Sequence, residues 1–154
     1  MSTLDFDTPA NVPPFVLQDT DPVITVLDPD GNPNHVVEAA DGFTVALSWE
    51  LTGILAPLIV NTWHARLYAQ PIGTGGFAGL LTDTTAITAA PGGPGVVKYS
   101  ATLPVTPAQA DTMHDPQGDG VYQLVVVVSH INVFNNRDTM AGFSQTIVID
   151  VRKP

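Results

Sequence analysis

Phe43, Val45, Leu47 and Trp49 occupy every second position of FTVALSWEL, with Thr44, Ala46, Ser48 and Glu50 between them. A period of two marks a strand with one buried face, because successive side chains leave a sheet on opposite sides. The pattern recurs as Trp63, Ala65, Leu67 and Ala69 in NTWHARLYAQ, and again as Val97, Tyr99, Ala101 and Leu103. The segments between are dense in turn-forming residues, with 13 Gly and 14 Pro in 154 residues. That density excludes a helical bundle, since Pro and Gly both interrupt helices. Hydrophobic residues make up 44% of the chain, enough for a packed core and too many for a disordered one.

The punctuation divides the chain into strands at Val23–Leu27, Phe43–Leu51, Asn61–Gln70, Val96–Leu103, Val121–Ile131 and Phe143–Arg152. His35–Ala39 is read as continuing the first edge, and Thr84–Thr88 as a short edge strand inside an otherwise loop-like stretch, 71–95. Thr106-Pro107 supplies a cap and a first helical position, so one helical turn is expected there. Seven to eight strands without strand–helix alternation imply an all-β, antiparallel sandwich. Residues 1–21, with Pro9, Pro13, Pro14 and four Asp, read as an extended Pro-rich N-terminal arm, and 22–154 as one sandwich domain. Leu47, Trp63, Tyr122, Leu124, Val126, Ile147 and Ile149 are the expected core.

Trp63 on its strand and Tyr122 two residues before Leu124 carry a resemblance. In an immunoglobulin domain a Trp on strand C packs against a core pair on strands B and F, and a Tyr precedes the second member of that pair by two. Here Leu47 or Trp49 would replace the first Cys and Leu124 the second. Over residues 22–152 the chain resembles bacterial immunoglobulin-like and fibronectin-III-like β-sandwich domains that lack Cys. The family's Asp four residues before the Tyr is replaced by Gly118, with Asp119 one place later. The resemblance implies an Ig-like sandwich and no particular activity.

Charge and Cys content exclude several functions. Fifteen acids against five Lys and Arg give −10, which leaves little cation for a nucleic-acid backbone. The absence of Cys removes disulfides, thiolate catalysis and Cys-ligated zinc. No basic-then-apolar leader opens the chain, and the apolar runs at 54–60 and 124–128 fall far short of the ~20 residues of a membrane helix. The expectation is a cytoplasmic protein with no membrane insertion, export without a leader being the alternative.

No catalytic constellation is visible, so the chain is read as not an enzyme. Ser129 and His130 are neighbours in one strand and point to opposite faces. His35, His64, His114 and His130 form no metal-ligand spacing and read as surface or edge residues. Asp28, Asp30 and Asp119 lie in two acidic loops that a sandwich brings to one end. They are the candidates for weak calcium, the alternative being plain turns. No other cofactor is expected.

Two apolar features point to a partner. Ile54 and Leu55, with Phe134, fall in connections at one end of the expected sandwich. Val125 and Val127 alternate with core positions, so they lie on the outer side of their sheet with Val148, beside His64, Arg66 and Tyr68. A strand apolar on both faces needs cover on both. The expected function is a non-catalytic interaction or structural module, binding a protein partner or itself through that outer face or the apolar tip. The alternative is a small-ligand or carbohydrate-binding domain using Trp49, Trp63 or Tyr68.

Overall fold

A computed structural model of the chain describes residues 18–19, 23–53, 56, 62–73, 77–113, 120–131, 137–144 and 146–152. They form two sheets and one short helix. In the first sheet, β1 (Gln18–Asp19) and β2 (Val23–Leu27) follow one another along the same edge of β4 (Phe43–Thr52). On its other side β4 pairs with β8 (Val96–Val105), which carries β7 (Thr88–Gly93) at the far edge. The second sheet runs β3 (Val36–Glu38), β11 (Ile147–Arg152), β9 (Val121–Ile131), β5 (Thr62–Pro71), β6 (Gly79–Thr84), and β10 (Arg137–Phe143) also lies along β9. All pairs named are antiparallel except β3 with β11, which is parallel. The result is an all-β sandwich.

The period-two faces meet in the middle. Phe43, Val45, Leu47, Trp49 and Leu51 of β4 are buried, as are Trp63, Ala65, Leu67 and Ala69 of β5 and Tyr122, Leu124, Val126 and Val128 of β9. Ile149 is buried as expected, whereas Ile147, beside the break that opens β11, is only partly so. The expected helical turn is α1 (Pro107–Met113). The Thr106 hydroxyl accepts from the Gln109 backbone N–H at 3.3 Å, and the Gln109 side-chain oxygen accepts from the Thr106 N–H at 2.9 Å. This reciprocal cap fixes the helix start. The Gln109 amide nitrogen also donates to the Leu81 carbonyl at 2.8 Å, which ties the helix to β6.

Three expectations about strands need correcting. His35–Ala39 does not continue the first edge: its strand, β3, crosses to the second sheet and pairs with β11. The stretch 71–95 holds two strands, one on each sheet, and the expected strand Thr84–Thr88 is instead the end of one, the start of the other and the passage 85–87 between them. The final strand starts earlier, at Arg137, and is broken at Ser144. Phe143 faces Val127 but Ile147 faces Leu124, so one extra residue is accommodated there. Ser144 closes the gap: its N–H donates to the Val126 carbonyl at 2.8 Å and its hydroxyl accepts from the Val126 N–H at 2.9 Å.

The outer strands β2, β3, β6 and β7 are each obstructed. β7 carries Pro91 and a register shift, β6 a register shift and Asp83, and β3 is three residues long. Past the turn after β2, Pro33 bridges to Leu27 and the Asn34 N–H donates to the Val26 carbonyl at 2.9 Å. These devices discourage lateral strand addition.

Gly120 takes φ +68° at the entry to β9, and a Cβ there would meet the Val151 carbonyl oxygen. Gly120→Ala is expected to cost more than about 1 kcal/mol, the left-handed penalty being about 1–2 before any contact. Leu124→Ala should cost about 2–5 kcal/mol. Urea unfolding midpoints check both.

Candidate functional site: the outer face of the second sheet

Alternation fixes which side chains leave the second sheet outward. On β9, Val125 and Val127 lie between buried Leu124, Val126 and Val128, and both are partly buried. Tyr68 stands opposite Val125 and Arg66 opposite Val127, both partly buried. Val148 lies opposite Gln123 on the next strand and is 46% exposed. The structure therefore brings Val125, Val127, Val148, His64, Arg66 and Tyr68 onto one face. Two more apolar residues join them. Leu80 on β6 pairs with Tyr68 and is 47% exposed, and Val36 on β3 pairs with Asp150. Neither was legible, because β6 and β3 could not be assigned to this sheet; the Leu80-Leu81 pair in a Gly-rich stretch was the available signal.

Polar groups frame these side chains. The His64 Nε2 donates to the Asp83 carboxylate at 2.8 Å, and His35 Nδ1 donates to the Val148 carbonyl at 3.2 Å. Arg152 Nε donates to Asp150 at 3.0 Å. Arg66 stands across from Asp83 in register but makes no ion pair with it. Cover is uneven along the face. Ser129, level with His64, is buried, while Val148 and Leu80 stay open to solvent.

Other candidates fare differently. Asp28 uses one carboxylate oxygen to accept from the N–H groups of Asp30 and Asn32, at 3.0 and 2.9 Å, which is the geometry of a side-chain-capped turn. Among the described residues no group of three or more His, Cys, Asp or Glu is placed to hold a metal ion. Asp119, Ile54, Leu55, Phe134 and His114 lie outside the described residues. His130 is not a surface or edge residue: it is buried on the inner side, edge-on to Trp63 at a centroid distance of 4.9 Å. Trp49 and Trp63 are buried too, so neither presents an exposed platform to a sugar. Among the described residues no helix is long and apolar enough to cross a membrane.

Tyr99 stacks on Trp49 at 5.2 Å in the core. Burial pushes its phenol above the ordinary value of 10.0, and Trp63 beside it opposes the shift in part.

No protein-family model matches this chain, and no curated protein or solved structure matches it significantly.

Two outcomes follow from this geometry. A phenol whose folded pKa lies above its unfolded value contributes stability that is whole below pH 10.0 and lost as pH rises through the folded pKa. Chemical-denaturation midpoints should thus fall above about pH 10, and less so in Tyr99→Phe. Asp28→Ala should lower the melting temperature by the same amount with and without added calcium, because its carboxylate serves the turn. A calcium-dependent rise in melting temperature that Asp30→Ala removes would assign the loop to metal instead.

Proposed function

We propose that this chain is a non-catalytic interaction module with an Ig-like sandwich, which docks a protein surface on the outer face of its second sheet. The observation that carries the reading is a central strand, β9, apolar on both sides. Its outer Val125 and Val127 are flanked by open Val148 and Leu80. Apolar area of this kind beside polar groups is the anatomy of a protein contact.

The Ig-like assignment is supported by strand order. β2-β4-β8-β7 against β11-β9-β5 resembles the ABED and GFC sheets of that architecture, with β6 in the place of an added C′ strand. Trp63 then sits on the C-strand and Leu124 on the F-strand, both buried. Tyr122 is buried before Leu124, and its hydroxyl accepts from the Phe77 N–H at 2.9 Å. A protein contact is favoured over a carbohydrate site because the two Trp are core residues and Tyr68 alone of the named aromatics faces outward.

The test is Val125→Lys with Val127→Lys in one chain, measured by light scattering beside a glycan array. A defined complex or oligomer of the native chain that the double variant loses, at unchanged circular dichroism, supports the reading. Failure of the variant to fold overturns it, since those valines would then be covered by the chain itself. Glycan binding by a monomer also overturns it.

A further inference from the structure

We propose that the occupant of this outer face is a second copy of the same chain, the two second sheets stacking face to face about a two-fold axis. The proposal rests on the interaction-module reading above and names its partner.

Charge is the first argument. The chain carries −10, yet the outer face holds two cations, Arg66 and Arg152, against Asp83, Asp150 and Glu38 among the described residues. The face is thus nearly neutral on a strongly acidic molecule, and it is where two such molecules can approach with least repulsion. Arg152 is held by Asp150. Arg66 has no ion-pair partner among the described residues, so it is a cation this face offers, and it suits an acidic partner. A basic partner would be drawn instead to the acids that lie elsewhere.

Area is the second argument. Five strand positions from β3 to β6 span about 24 Å, and ten paired residues of β5 and β9 run about 34 Å. The shorter outer strands trim that rectangle to roughly 600 Å² in projection. Accessible surface exceeds projection on a corrugated face, and a standard interface takes about 800 Å² per partner. In outline the face approaches that area, although the end level with buried Ser129 lies outside the part open to a partner. A two-fold arrangement presents the same patch from both copies and closes at two. The obstructed edges direct association to faces rather than to strand addition. Of the two outer faces, the first sheet's carries small and hydroxyl side chains, Ala46, Ser48, Ser100 and Thr102 among them, with Val23 as its exposed large apolar residue among the described residues, against Val36, Leu80 and Val148 on the second.

The experiment is sedimentation equilibrium of the full chain from about 1 to 200 µM, at low and high sodium chloride. The expected result is a monomer–dimer equilibrium that tightens several-fold with salt, because screening removes the repulsion between two −10 chains. Val148→Lys with Leu80→Lys, at exposed positions, should weaken it by at least about tenfold even though it lowers the net negative charge. Thr102→Lys on the other face should not weaken it. A monomer throughout overturns self-pairing. It leaves the docking reading standing if a complex with another protein is still lost in the Val125→Lys, Val127→Lys chain. A dimer lost only on Thr102→Lys, or one that dissociates with salt, also overturns the proposal.

Discussion

Two sheets without a disulfide between them depend on one aromatic cluster. Trp49 and Tyr99 are register partners on β4 and β8 and stack with planes 16° apart, while Trp63 and His130 are register partners on β5 and β9. Across the sandwich Trp49 meets Trp63 edge to face at 5.7 Å, and Trp63 also touches Tyr99 at 5.4 Å. Each such pair is worth about 0.5–1.5 kcal/mol beyond the area it buries. The cluster therefore does for this chain what a cross-link does elsewhere. By setting which face of each strand turns inward, it also sets which residues are left outside.

That dependence explains what could be read in advance. β4, β5, β8 and β9 each carry a long alternating pattern, because one side of each lines the core, and their inward residues follow directly from it. β7 is invisible to such reasoning: TAAPGG is exposed along its whole length, so no burial imposes an alternation. β6 is obscured by its register shift, which inserts Leu81 as an extra residue between Leu80 and Thr82 and breaks the period of two in a strand only six residues long. β3 is too short to show a period, and its choice of sheet is a tertiary decision. The break at Ser144 is likewise a matter of fit, since the serine adds a hydroxyl that accepts from the Val126 N–H to the backbone bond any residue would make there.

The candidate face inherits the same division. Val125, Val127, Val148, Tyr68, Arg66 and His64 could be grouped from sequence because they alternate with residues of the same strands that were already committed to the core. Leu80, Val36 and Asp83 belong to the same surface but sit on the strands that had no readable pattern. The His130 environment was hidden for a related reason. A histidine at an inward position reads as polar until its neighbour across the strand, Trp63, supplies an aromatic edge to pack against.

The obstructed edges have a consequence for the chain in acid. As the carboxylates take up protons, the net charge that keeps molecules apart shrinks, and apolar contacts between copies strengthen. In a sandwich with an open edge, that is the condition for unlimited growth of a cross-β ribbon. Here Pro91, the register shifts of β6 and β7, the brevity of β3 and the Pro33-Asn34 cover on β2 interrupt the ladder along those four strands. Growth through β2, β3, β6 or β7 is accordingly disfavoured, and association of the folded protein along those margins falls to its faces.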